Sequence, residues 1–186
     1  MAIDYRPRLF TVEEYHRMGE AGVFAPGERV ELLDGEIIAV APMGHRHAAA
    51  IERVNRLLLV RLGEDVSVRP QLPVQLSPIS EPSPDFALAR RRADGYVETG
   101  VSAPDVFALL EVSESSLGFD RRKKFHAYAR AGVPEYWIVN LVDAIVEIYR
   151  APSDLGYAAS AVSGRGASVT FLAFPGEAIA VDDLLV

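Results

Sequence analysis

A chain of 186 residues, 49% hydrophobic and 24% charged, has room for one full-sized core and too little for two, and its balance excludes a disordered or fibrous protein. Without cysteine it has no disulfide, thiolate metal site or cysteine nucleophile, and its net charge of −7 argues against coating nucleic acid with a uniformly basic surface. The longest apolar runs, such as Leu57 to Val60, fall far short of the roughly 20 residues that cross a bilayer, and Asp4, Arg6 and Arg8 stand where a signal peptide would be apolar, so no membrane partner and a cytoplasmic address are expected.

No linker or internal repeat divides residues 1–186, which read as one domain. Thr11 and Glu14 have the spacing of a capping box, so a short helix is expected to begin there. Arg29 to Leu33 and Glu36 to Val40 flank Asp34-Gly35, a pair suited to a type I′ turn, and predict a hairpin. From about His47 to Leu62, Ile51, Val54, Leu58 and Leu62 recur at spacings of three and four, the pattern of an amphipathic helix. Val66 to Arg69 and Leu72 to Leu76 are short and interrupted by prolines, which predicts bent or edge strands. Asp85 to Ala89 and Val106 to Val112 follow as strands, the second apolar enough to be central. A second helix is expected from about Asp120 to Ala131, closed by Gly132, with Phe125, Tyr128 and Ala129 inward. Tyr136 to Val139 and Ala144 to Tyr149 are strands, and the tail carries weaker strand signals at Tyr157 to Val162 and Ser168 to Phe171. This order predicts an α/β (α+β) domain with a mixed central sheet flanked by helices.

Acids inside apolar strands are informative because a buried carboxylate must be paired, protonated or bound to a cation. Asp85 follows Pro84 at the start of one strand, and Glu111 ends the apolar run Val106 to Leu110. Two carboxylates at neighbouring strand ends suit Mg²⁺, which keeps several waters around one or two acids, and both groups should then lie within about 6 Å of each other. Lys124 lies one helical turn after Asp120 and shares its face, where an ammonium could stabilise a phosphoryl transition state. Each of these also has a plain structural reading, as a strand cap, an ion-pair partner or a solvated lysine. The histidines His16, His45, His47 and His126 show no metal-ligand spacing, and no Gly-x-Ser-x-Gly elbow, Walker loop or dinucleotide fingerprint is present. Trp137, in an apolar strand, reads as core. The basic residues are bunched at Arg90 to Arg92 and Arg121 to Lys124, so local field outweighs net charge.

Glu31-Leu-Leu-Asp-Gly-Glu36, Pro84-Asp85, Leu110 to Ser116, Phe119 to Lys124 and, most specifically, Tyr128 to Val139 together resemble the Uma family of restriction-endonuclease-like proteins. The resemblance runs from about Phe10 to the end of the chain. It implies a PD-(D/E)XK nuclease core, with Asp85 as the Pro-Asp aspartate and Glu111 as the acid of the next strand. It also marks Glu31 as a further metal ligand and His47 as a recurrent position without an assigned role. The superfamily lysine would stand two residues after Glu111, where this chain has Ser113, and Lys124 on the following helix falls where the Uma pattern supplies it instead. The implied activity is Mg²⁺- or Mn²⁺-dependent endonucleolytic cleavage of DNA, with Asp85, Glu111 and Lys124 catalytic. Cutting both strands of a duplex with one site per chain favours a homodimer, for which the apolar, weakly patterned tail from Tyr157 to Val186 could supply interface. A catalytically inactive nuclease-fold module that binds nucleic acid or a protein partner is the competing reading.

Overall fold

The structure is a computed structural model that describes residues 6–186. Helix α1 (Val12–Glu20) starts at the expected capping box: Thr11 accepts from the Glu14 N–H, and Glu14 reaches back to the Thr11 N–H at 3.0 Å. Strands β1 (Val30–Leu33) and β2 (Glu36–Ala39) form the expected hairpin. Asp34 and Gly35 both take positive φ, 51° and 78°, as a type I′ turn requires. A Cβ on Gly35 would lie 2.5 Å from Leu9 Cβ, so glycine there also allows the N-terminal segment to pass close over the turn.

Helix α2 (His45–Leu62) presents Ala50, Val54, Leu58 and Leu62 to the core. Strand β3 (Val66–Pro70) lies at one edge of a six-stranded sheet of order β10-β9-β8-β7-β5-β3, its Pro70 paired with Phe86, which suits an edge strand. The other strands of this sheet are β5 (Phe86–Arg90), β7 (Val106–Ser113), β8 (Glu135–Asn140), β9 (Ile145–Ser153) and β10 (Gly156–Gly164). Only β7 and β8 run parallel, and a parallel pair needs a crossover. The crossover is helical: α3 (Leu117–Phe119), a π turn over Asp120–Lys124, and α4 (Phe125–Arg130).

The strand expected over Leu72 to Leu76 is reduced to β4 (Val74–Gln75), which pairs in parallel with β6 (Val101–Ser102) outside the main sheet. Gln71 takes a φ of 52° and turns the chain away from β3, and Pro73 has no N–H to continue a ladder. The tail adds a hairpin of β11 (Ser168–Phe171) and β12 (Phe174–Ala180), then the short α5 (Val181–Leu184).

Side chains alternate between the two faces of the sheet. Phe86, Leu110, Val112, Trp137 and Val139 pack on one face with α2, the β11–β12 hairpin and α5. Trp137 is fully buried there and stacks on Phe171 at 3.9 Å, the core role expected of it. Ala87, Leu109, Tyr136 and Ile138 point to the opposite face, where Tyr128 and Val133 cover them. The arrangement is the mixed, helix-flanked sheet of the sequence reading.

Gly156 begins β10 at a φ of 126°, and a Cβ there would sit 2.5 Å from Cε1 of Phe125. That ring is wedged between Tyr149 and Tyr157 and cannot easily retreat. Gly156→Ala is therefore expected to lower stability in urea titration by about 1–3 kcal/mol, through overpacking and backbone strain. An unchanged midpoint would show that the ring yields freely.

Candidate active site

The pairing of β5 with β7 sets the position of both strand-end acids. Phe86 faces Leu110, and one more step along the register brings Asp85 opposite Glu111. Directly opposed residues of an antiparallel pair have Cβ atoms about 4.5–5.5 Å apart on one face. The backbone ties the carboxylates further: the Val112 N–H donates to Asp85 Oδ2 at 2.9 Å, and the Asp85 N–H points at Glu111 Oε2 at 3.4 Å. The face is the one covered by the crossover, because Asp85 and Glu111 share parity with Ala87 and Leu109.

Glu111 is almost inaccessible, at 3% exposure, and is held by two donors from the crossover. Lys124 Nζ donates at 2.9 Å and the Tyr128 hydroxyl at 2.6 Å, both to Oε1. Lys124 also stands 3.6 Å from Glu31 Oε2, which β1 carries in from the hairpin. Lys123 points outward to Glu36, so the two neighbouring lysines diverge as helical rotation requires. From the other layer, His47 on the first turn of α2 places Nε2 3.3 Å from Asp85 Oδ1, and Gln71 Nε2 donates to the same oxygen at 3.3 Å.

Asp120 completes the group and was not singled out as a site residue by its sequence context beyond its shared face with Lys124. It is 1% exposed and accepts from the hydroxyls of Ser113 at 2.7 Å and Ser116 at 2.6 Å. Ser113, two residues after Glu111, is thus engaged with the crossover, and Lys124 supplies the cation beside Glu111. The hydroxyl of Tyr128 and the amide of Gln71 carried no signal of their own in the sequence.

Four carboxylates, Glu31, Asp85, Glu111 and Asp120, are therefore gathered around one ammonium and one imidazole. Burial raises the pKa of Glu111 well above the usual carboxylate value; Lys124 opposes this, while Asp85, Asp120 and Glu31 add to it. Burial likewise raises Glu31 and Asp120 against the opposing charge of Lys124. Asp85 moves the other way: burial favours its neutral form, but the His47 hydrogen bond and charge and the Val112 N–H together hold it below the ordinary value. The hydrogen bond to Asp85 raises His47 in turn. Burial works against a charged Lys124, but Glu111, Glu31 and Asp120 outweigh it and raise its pKa, so it stays an ammonium.

Among the described residues, no group of three or more His, Asp or Glu side chains stands ready as a complete metal cage. The opposed pair of Asp85 and Glu111 nevertheless fits a hard divalent cation that fills its shell with water. All the acidic donors are oxygens, and a buried excess of carboxylates is the charge such an ion offsets. Glu31 meets Lys124 in this arrangement. The acids line a cleft of about 430 Å³ that Ile38, Val40, Pro42, Met43 and Phe119 also line.

The model of the Uma2 family, described as "Putative restriction endonuclease", matches residues 12–182. The chain belongs to this family. A crystal structure of a protein from Anabaena variabilis ATCC 29413, described as a "putative nuclease", superposes with a TM-score of 0.73 at 14% identity, over 94% of this chain and 97% of that one. At that identity the likeness establishes the fold, which is nuclease-like. No protein among the curated ones compared matches the chain. No helix of the described residues is long and apolar enough to cross a membrane.

Proposed function

We propose that this Uma2-family chain is a metal-dependent endonuclease that hydrolyses DNA phosphodiesters, its whole length working as one nuclease domain. The observation that carries the reading is the opposed pair Asp85 and Glu111 with Lys124 Nζ 2.9 Å from Glu111, all lining one cleft. Asp85 and Glu111 would hold Mg²⁺ or Mn²⁺, with Glu31 as a further oxygen donor from the hairpin. When bound, such an ion polarises a phosphoryl oxygen and lowers the pKa of water so that hydroxide is available near neutral pH.

The chain's own residues supply the rest. Tyr128 and the Asp85 N–H fix the two oxygens of Glu111, so its carboxylate is oriented before substrate arrives. Lys124 keeps its proton and acts as an electrostatic stabiliser of the phosphoryl transition state, with no role as a base at neutral pH. His47 on α2 and Gln71 on the turn after β3 orient Asp85. Lys124 against Glu111 supplies a cation where Ser113 has none, which supports an enzyme over an inactive module of the same fold.

We also propose that the chain works as a homodimer joined through β10. Much of the tail from Tyr157 to Val186 is spent on the chain's own core, since Val169, Phe171, Ile179, Val181 and Leu184 are buried. Strand β10 remains as an edge of the sheet, with Ala158 to Val162 exposed and no charged residue from Gly156 to Gly164. An edge without charge or proline invites antiparallel pairing with a second copy.

In cleavage of circular DNA, supplied both as supercoiled plasmid and as the single-stranded circle, activity is expected with Mg²⁺ or Mn²⁺ and none with EDTA. Asp85→Asn and Glu111→Gln are expected to abolish it, and Lys124→Gln to lower it roughly 10²–10³-fold. Loss of one partner from a buried ion pair costs about 3–5 kcal/mol, so Lys124→Gln is compared at a temperature where circular dichroism shows it folded. Lys123→Ala, altered outside the cleft, retains cleavage. Metal-independent cleavage, or full activity in Asp85→Asn, would refute the assignment. Multi-angle light scattering is expected to give a dimer at micromolar concentration and a monomer for Ala159→Lys; a monomeric wild type would dispose of the β10 interface.

A further inference from the structure

Beside the acidic cleft lies a second cavity of about 310 Å³, lined by Tyr15, Phe24, Glu28 and Val30 together with residues of the first. Arg29, Glu31, Val40, Gln71 and Ser83 line both, so the two join into one trough, with Glu31 common to its two stretches and Asp85, Glu111 and Asp120 in the first. The first stretch also carries aliphatic side chains and Phe119, and the second carries a pair of rings. Tyr15 and Phe24 lie 5.7 Å apart at 50°, and the Tyr15 hydroxyl donates to the Val30 carbonyl at 2.9 Å, which fixes that ring. The carboxylate of Glu28, at the rim, is occupied by the Ala25 N–H at 2.8 Å.

The cations of the region divide sharply. Arg46 pairs with Glu114, Lys123 with Glu36, Arg130 with Asp34 and Arg121 with Glu147. The run Arg90 to Arg92 lies past the opposite end of β5 from Asp85, and its members are engaged with Phe107, Glu64 and Asp94. Arg29 is exposed, faces both cavities and makes no ion pair or side-chain hydrogen bond with any described residue.

We propose that the trough takes single-stranded DNA, one base resting on the Tyr15–Phe24 wall and Arg29 holding the phosphate next to the scissile one. The proposal rests on the nuclease reading of Asp85 and Glu111. Base faces are available to rings only when the strand is unpaired, and stacking on aromatic side chains is tolerant of sequence. A duplex hides those faces and is held through its phosphates, which calls for many free cations. Here Arg46, Lys123, Arg130 and Arg121 are tied to acids of the same chain, and the net charge is −7.

A fluorescein-labelled 20-mer and its duplex, titrated by anisotropy in EDTA and then followed for cleavage with Mn²⁺, separate the possibilities. The single strand is expected to bind at least tenfold more tightly and to be the strand cleaved. Phe24→Ala is expected to weaken single-strand binding by about 5- to 100-fold. Arg29→Gln, at an exposed position that leaves folding intact, should reduce the slope of log affinity against log salt by about 0.7. Arg165→Ala, which breaks a remote pair with Asp182, serves as the unchanged control. Equal or tighter duplex binding, cleavage of the duplex alone, or unaltered affinity in both trough variants overturns the single-strand proposal while cleavage itself upholds the nuclease reading. Selective single-strand binding, weakened by the trough variants but without cleavage in Mn²⁺, supports the strand path and removes the nuclease reading. Absence of both binding and cleavage refutes both.

Discussion

A carboxylate buried at the end of a central strand makes demands on everything around it, and Glu111 is that group. It lies among apolar neighbours on β7 and is almost inaccessible to solvent. Ionised and alone it would be intolerable there, so the fold surrounds it with an ammonium, a phenol and a backbone N–H. Meeting that demand fixes the crossover. Lys124 and Tyr128 must both reach Glu111, and they do so from a segment that opens with a π turn over Asp120–Lys124 and continues as regular helix. Departures of this kind from α-helical geometry are frequent at functional sites.

The same demand explains why the site lies where the two layers meet. Asp85 is opposed to Glu111 by strand register, and its second oxygen is reached by His47 from α2 and by Gln71 from the turn after β3. Glu31 arrives on a separate hairpin, with Arg130 bound to Asp34 at its turn. Four acids thus converge from different parts of the chain against few cations. Burial, with the neighbouring carboxylates adding to it, raises the proton affinity of Glu111, Glu31 and Asp120, and a divalent ion bound there would relieve it.

Much of this geometry was legible in the sequence, for identifiable reasons. Asp85 and Glu111 stand out because acids interrupt apolar strands, and the spacing of the strands makes them neighbours. The Asp34-Gly35 turn, the Thr11 capping box and the period of α2 are local signals, and local signals depend on nothing distant. The family resemblance, most specific over Tyr128 to Val139, supplied the nuclease-like fold, and its Phe119 to Lys124 stretch pointed to Lys124. What the sequence left obscure depends on long-range placement. The bond between Ser113 and Asp120 needs the π turn to exist. The Asp85 contact of Gln71 follows from a positive φ that nothing in its neighbours announces. Pro175 and Gly176 break the strand pattern of β12, and that strand exists because its partner hairpin packs on Trp137. The trough joining Tyr15 and Phe24 to the acids forms only when α1, β1 and the turn after β3 come together.

The central claim is that Asp85 and Glu111 share one divalent cation. Anomalous diffraction from crystals grown with Mn²⁺ tests it most directly. The account predicts a single strong peak between the two carboxylates, about 2.0–2.6 Å from an oxygen of each, and its loss in Asp85→Asn. A peak elsewhere on the molecule, or one that persists at full height in that variant, would contradict it.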